Sequence, residues 1–252
     1  MARKPREKSS TGIYHVMFRG INGQVVFKDH EDCKKLLQTI KKYKKVSQYT
    51  IYAYCLMNNH VHLLIKEEKE DLGIIFRRIG ASYVYWYNRK YKRRGPLFQD
   101  RYKSEPVEDD KYFLTVLRYI HQNPIKAGIE KDIKKYSWSS YNEYIRKVNI
   151  CDINFPLSLF AENKKRAVKL FKNFNEKKND DRCLEYEEQG RIDDTEGTQI
   201  IIEIAEVEDP GRVQDFQRDK RDKIIKELKS RGLSIRQIER LTGVSFGIIR
   251  RI

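Results

Sequence analysis

Cysteine is scarce and scattered in this 252-residue chain: Cys33, Cys55, Cys151 and Cys183 stand far apart, with no Cys-x-x-Cys pair among them. That spacing argues against a structural zinc site and for a reducing, cytoplasmic compartment. Long apolar runs are missing as well. None approaches the ~20 residues of a membrane span, so no membrane association is expected. The opening ten residues, Met-Ala-Arg-Lys-Pro-Arg-Glu-Lys-Ser-Ser, lack the apolar segment of a secretory signal and read as a flexible basic arm. Hydrophobic residues supply only 39% of the chain against 35% charged. A looser part beside a compact core is therefore expected, in a length that suits one large or two small domains.

Acidic residues are the charge in short supply: 36 Asp and Glu face 52 Lys and Arg, a net charge of +16. The imbalance is uneven. Residues 1–150 hold 31 basic against 16 acidic side chains, residues 151–211 hold 9 against 15, and residues 212–252 hold 12 against 5. Two basic modules thus flank an acidic middle. Basic modules suit a polyanion, most simply nucleic acid, and the 16 Tyr and 11 Phe interleaved with the charge suit base stacking.

The stretch Ala53-Tyr-Cys-Leu-Met-Asn-Asn-His-Val-His-Leu-Leu-Ile65 carries the chemistry. The Asn58–Asn59 pair signals a turn, and the residues after it alternate as a strand does. His60 and His62 then share a face, ~7 Å apart at the backbone, close enough for their imidazoles to converge on one ion. Two polar residues on a half-solvated strand give the same pattern, so the motif needs partners elsewhere in the chain.

Around it the elements read in order as a strand over 12–18, a turn-rich loop over 19–23, a helix over 32–46 and a strand over 49–56. The His60/His62 strand follows, then a helix over 72–91, a loop with a short strand over 97–107, and a helix from 110 that Pro124 stops. His15, in the first strand, reads as a packing residue and His30 carries no signal. A strand–helix–strand–strand–helix–strand order predicts a ferredoxin-like α+β fold, an antiparallel sheet with helices on one face and the His60/His62 strand central. The following helix can cross the open sheet face. Its core stripe is Phe113, Val116, Leu117 and Ile120, and Tyr112, Tyr119 and Asn123 lie along one edge of that stripe. Trp138-Ser-Ser-Tyr141 reads as a packing plug in a loop or short helix.

Farther on, residues 161–174 read as a helix and residues 182–210 as an acidic, irregular linker. Residues 222–230 form a helix ended by Gly232, Ser234 and Gln237 match a capping box for the next helix, and Thr242-Gly-Val-Ser245 is a tight turn before a last helix. This is the helix-turn-helix pattern, with Ser245, Phe246, Arg250 and Arg251 as candidate contacts to DNA. The predicted organisation is a basic arm over 1–10, a catalytic domain over 11–148, a helical extension and linker over 149–211, and an all-α helix-turn-helix domain over 212–252.

Together, Tyr14-His-Val16 with Arg19-Gly20, the segment 54–65, Pro96-Leu-Phe-Gln-Asp-Arg-Tyr-Lys-Ser104, Leu117-Arg-Tyr-Ile-His-Gln-Asn-Pro-Ile-Lys-Ala-Gly128 and Trp138-Ser-Ser-Tyr141 resemble the single-tyrosine HUH transposases, in particular the REP-associated branch. The match covers about the first 145 residues. The family's Met-Pro-Asn-His stands here as Met57-Asn58-Asn59-His60, which removes a rigid turn but no ligand. The resemblance implies an HUH endonuclease domain in which His60 and His62 hold a divalent metal, Mg²⁺ or Mn²⁺. Tyr119 is then the nucleophile, and Asn123 occupies the place of a third polar ligand. The implied substrate is single-stranded or hairpin DNA, cut to leave a 5′-phosphotyrosine and a free 3′-OH. Arg3, Lys4, Arg19, Lys41, Lys42, Lys44, Lys45, Arg89, Lys90, Lys92, Arg93, Arg94, Arg101 and Lys103 are candidate backbone contacts, and duplex DNA is the candidate partner of the C-terminal helices. A monomer or homodimer is expected. Two rival readings stay open: a domesticated DNA-binding regulator that uses the helix-turn-helix, and a metal-dependent nuclease without a covalent step.

Overall fold

The computed structural model describes residues 6–184, 192 and 194–252, and the chain separates into two units, Met1–Glu185 and Tyr186–Ile252. The first unit begins with β1 (Ile13–Arg19), α1 (His30–Ser47), β2 (Tyr49–Leu56), β3 (His60–Glu67), α2 (Leu72–Lys90), β4 (Lys103–Pro106) and α3 (Asp110–Lys126). The strands pair in the order β2-β3-β1-β4, every pair antiparallel. That is the order of a split β-α-β plan.

Directly opposed residues of an antiparallel pair point to the same face. The β1–β3 register sets His15 against Leu64, Met17 against His62 and Arg19 against His60. All six therefore share one face, and α3 lies against β2 and β3. Tyr14, Val16, Phe18, Val61, Leu63 and Ile65 point the other way, where Phe18 meets Phe76 of α2 with ring centroids 5.9 Å apart. α1 and α2 pack side by side.

Several boundaries differ from those predicted. α1 starts at His30, because the Asp29 carboxylate accepts from the N–H groups of Glu31 and Asp32 while the Asp32 side chain reaches back to the Asp29 N–H. Asp32 is thus the third residue of a capping box rather than the first of the helix. Pro124 does not stop α3; the helix continues through Lys126, and Gly128, at φ +68°, follows it. Only one N–H is missing, and the Ala127 N–H still reaches the Asn123 carbonyl. Residues 138–140 run along the outer edge of β2, with Leu56 N–H donating to the Trp138 carbonyl and Ser140 N–H to that of Tyr54. They cover an edge that would otherwise present unpaired backbone groups.

Three more helices, α4 (Tyr141–Ile145), α5 (Asn154–Ser158) and α6 (Lys164–Glu176), pack on the same core. The fully buried Phe171 of α6 stacks on Tyr144 at 4.4 Å and takes the edge of His121 at 5.6 Å. The buried Glu143 carboxylate accepts from the Tyr54 hydroxyl and the N–H groups of Asn149, Ile150 and Cys151. Residues 149–176, the first part of the predicted extension and linker over 149–211, are therefore built into the first unit.

The second unit is helical: α7 (Asp194–Ala205), α8 (Arg218–Ser230), α9 (Ile235–Thr242) and α10 (Phe246–Arg251). α7 falls inside the predicted linker. Its Ile201 and Ala205, one turn apart, are buried in a cluster with Ile225, Leu228, Ile238 and Ile249. Ser234 caps α9, but Gln237 sends its amide to the Ile192 carbonyl rather than back to the cap. Gly243 ends α9 in the left-handed region at φ +75°, and the Glu239 carboxylate takes the first N–H of α10. No helix among the described residues is long and apolar enough to cross a membrane.

Truncating Phe171 to Ala is expected to destabilise the first unit by about 3–5 kcal/mol. Trp86 and Trp138, the only tryptophans, both lie in that unit, so tryptophan fluorescence in a urea titration reads it alone. An unchanged midpoint would detach α6 from this core. Burial also pushes His121 down to about 4, against a smaller opposing effect of its Asn175 bond. Below pH 6.5 the unfolded chain then holds a proton that the folded unit refuses, so stability falls as pH drops from 6.5 toward 4. The same titration at pH 7 and pH 5 is expected to give the lower midpoint at pH 5.

Candidate active site

The pleat and register turn the sheet face under α3 into a small grid. One row across it is Cys55, His62, Met17 and Lys103; the next is Ala53, Leu64, His15 and Glu105; Arg19 and His60 begin the row on the other side. His60 and His62 come together as the His-x-His spacing predicts, with ring centroids 5.0 Å apart and planes at 85°. His60 is half-buried and His62 buried. From α3, Tyr119 sets its ring edge-on to His62 at 5.6 Å and to His15 at 5.8 Å. One turn on, the Asn123 amide nitrogen lies 3.4 Å from His62 Nε2. The structure thus gathers His60, His62, Tyr119 and Asn123 at one place.

Tyr119 is only 1% exposed. The Lys126 ammonium lies 4.9 Å over its ring and donates to the Asp181 carbonyl at 2.8 Å. Arg118 pairs with Asp181, and Gln122 donates to the carbonyls of Asn175 and Lys177. Residues 175–181 therefore run along α3 beside the phenol.

His15, read from sequence as a packing residue, is buried as expected, but it also lies against His62, which the sequence did not signal. It is fully buried, its Nε2 is 3.0 Å from His62 Nδ1, and its Nδ1 is 4.0 Å from Glu105 Oε2. The Glu105 carboxylate accepts from the Tyr112 hydroxyl at 2.6 Å. A histidine inside an apolar strand carries no signal of its own; only the strand register sets it beside His62. Burial pushes His15 down to about 3. Burial first, and then His15 and His60, hold His62 well below the usual histidine range. Both imidazoles are neutral at pH 7 and present lone pairs.

The donor set fits a borderline divalent cation. His60 Nδ1 is 2.7 Å from the Asn59 side-chain oxygen, and the Asn59 amide nitrogen donates to the Gly23 carbonyl, which fixes its orientation. His60 Nδ1 is therefore the donor of this contact, and in the neutral ring the proton sits there and not on Nε2. Two imidazoles and one amide, with no carboxylate among them, suit Mn²⁺ better than Mg²⁺ on ligand softness.

The candidate DNA contacts divide. Lys42, Lys45, Arg89, Lys92, Arg94 and Arg101 are exposed. Lys41 donates to Asn149, Lys44 to the Ile150 carbonyl and Arg93 to that of Pro96. Lys90 is turned inward: its ammonium pairs with Asp29, Glu31 and Asp32 at 2.8–2.9 Å. Ser245, Arg250 and Arg251 are exposed on or next to α10. Arg3 and Lys4 lie outside the described residues.

Comparison with known proteins follows the same lines. Residues 8–123 match the family described as "Transposase IS200 like". A curated Haemophilus influenzae (strain Rd) protein, "Putative REP-associated tyrosine transposase", is 25% identical over 105 residues. That match takes in 37% of this chain and 60% of the relative, so the chain spans less than two thirds of that protein's length. The solved "Structure of the REP associates tyrosine transposase bound to a REP hairpin" superposes with a TM-score of 0.52 at 18% identity, over 61% of this chain and 94% of that one. At that identity the likeness speaks for the fold. Residues 8–123 are thus similar in sequence to the IS200-like transposases, and the fold resembles that of the solved REP-associated tyrosine transposase.

Proposed function

We propose that the first unit cuts and rejoins single-stranded DNA through Tyr119. The observation that carries this reading is the Tyr119 ring packed 5.6 Å from His62, beside a pair of imidazoles. The phenol oxygen attacks a backbone phosphorus, and the bond from phosphorus to the 3′-oxygen breaks. The phenol proton passes to solvent, and the departing 3′-oxygen takes one up. A 5′-phosphotyrosine and a free 3′-OH result, and attack by a 3′-OH on the phosphotyrosine reverses the step without loss of bond energy.

His60 and His62, with the Asn123 amide, would hold Mg²⁺ or Mn²⁺; such an ion polarises the scissile phosphate and stabilises the departing oxygen. The chain itself supplies the placement. α3 fixes the phenol over the histidines, and burial keeps the His62 imidazole neutral. Because Tyr119 is almost wholly covered, the DNA reaches it only when neighbouring side chains move aside. Arg19 and Lys103, in the rows next to and through His62, would meet phosphates. The exposed Lys42, Lys45, Arg89, Lys92, Arg94 and Arg101 extend that surface, and Lys90 does not join it. Arg3 and Lys4 add charge to the same unit.

In the second unit, α9, the Gly243 turn and α10 make a helix-turn-helix, with α10 as the recognition helix and Ser245, Arg250 and Arg251 its contacts to duplex DNA. A concavity beside α10 is lined by Arg218, Arg221, Asp222, Lys226, Ile248, Arg251 and Ile252; Asp222 pairs with Arg221 at 3.1 Å, so Lys226 and Arg251 are its cations left for phosphate.

Incubating hairpin DNA with the protein and Mn²⁺ is expected to yield a covalent adduct that survives a denaturing gel and disappears in Tyr119→Phe. Cleavage that persists in Tyr119→Phe would mean hydrolysis without a covalent step; binding with no cleavage would mean a DNA-binding protein. A chain ending at residue 185 is expected to keep the cleavage and lose duplex binding. A cut at 211 instead leaves Ile201 and Ala205 of α7 without their buried partners, and that shorter deletion is expected to lower solubility.

A further inference from the structure

We propose that His15 is a positioning residue: it fixes the tautomer of His62, aiming the His62 Nε2 lone pair into the site as Asn59 does for His60. This rests on the reading of His60 and His62 as metal ligands. The two histidines have matching inner partners. His60 Nδ1 faces a side-chain oxygen at 2.7 Å, and an oxygen of that kind only accepts. His62 Nδ1 faces His15 Nε2 at 3.0 Å, a contact in which either nitrogen could donate.

Both ends of the chain of contacts choose the same direction. At one end the Asn123 amide nitrogen, a donor only, approaches His62 Nε2 at 3.4 Å. His62 Nε2 is then the acceptor, its proton sits on Nδ1, and His15 Nε2 accepts it. At the other end His15 Nδ1 is a buried nitrogen with no hydrogen-bond partner among the described residues, and Glu105 Oε2 stands 4.0 Å away. A carboxylate at that distance favours an N–H over a lone pair. The Tyr112 hydroxyl steadies that carboxylate. Asn123, His62, His15 and Glu105 thus form one donor-to-acceptor series that leaves the proton off the nitrogen a metal would take. A metal held at His62 Nε2 would replace the long contact from the Asn123 amide nitrogen and leave the amide oxygen as the Asn123 ligand atom. A ligand imidazole held in this way is already in its binding tautomer, and loss of such a partner weakens metal affinity about 10–100-fold.

Two measurements on the full chain test the assignment. Nitrogen chemical shifts of the imidazoles, read by NMR on the metal-free protein, are expected to show His62 protonated on Nδ1 and bare on Nε2. A proton on Nε2 would overturn the proposal, and this reading needs no variant to fold. Mn²⁺ affinity, followed by electron paramagnetic resonance of the free ion, is then compared in His15→Leu and His15→Gln. Leu fills similar space without an acceptor, whereas Gln restores one. A loss of about 10–100-fold in Leu, largely recovered in Gln, is expected; equal losses in both would reduce His15 to a filler of space. If the tautomer is as expected but hairpin DNA gives no adduct, the proposed reaction fails while the positioning role stands.

Discussion

The pairing of β1 with β3 is the constraint on which the rest of the first unit depends. A slip of one residue would send His60 and His62 into the apolar layer around Phe76 and turn Val61 and Leu63 toward α3. Backbone contacts at the strand ends pin the register. The Gly20 N–H reaches the Asn59 carbonyl at 2.7 Å, and Met57 N–H closes the β2–β3 turn on the His60 carbonyl at 2.8 Å. Gly20 is obligatory there, because a Cβ would run into the Gln24 carbonyl and the Val26 side chain. Asn59 joins both tasks. Its backbone holds the loop, its amide nitrogen holds Gly23, and its oxygen orients His60.

α3 is fixed on two sides. Phe113, Val116, Leu117 and Ile120 bury one stripe in the core, while His121, Gln122 and Asn123 carry polar groups that are buried too. A buried polar group without a partner is expensive. Residues 139–140 and 175–181 supply those partners: Ser140 and Asn175 bond His121, and the carbonyls of Asn175 and Lys177 bond Gln122. The stretch after residue 149 is therefore a requirement of the helix that carries Tyr119, which explains why the boundary between units falls near residue 185.

Much of this was legible in sequence because it is periodic. The His60/His62 alternation, the stripe on α3 and the strand–helix order all follow from spacing. What stayed hidden depends on pairing or on distant partners. His15 comes to lie beside His62 only through the β1–β3 register. α7 hid in an acidic stretch because its buried face is just Ile201 and Ala205 on one side, with Gly197 breaking the pattern. Pro124 looked like a stop, since the signal for a helix end is local and the packing that carries the helix past it is not.

Charge shows the same limit from another direction. A surplus of Lys and Arg reads as a phosphate-binding surface, yet the fold uses part of it internally. Lys90 ties the end of α2 to the acidic start of α1 through three carboxylates. Lys44 and Lys126 hold the carbonyls of Ile150 and Asp181, and Arg118 pairs with Asp181. A cation already held by a carboxylate brings little net charge to a phosphate and releases fewer counterions when it meets one. The exposed cations of α1, of the α2 end and of the loop before β4 are a smaller set than the sequence count suggests. If the proposed function holds, affinity for DNA scales with that set and not with the formal net charge of +16.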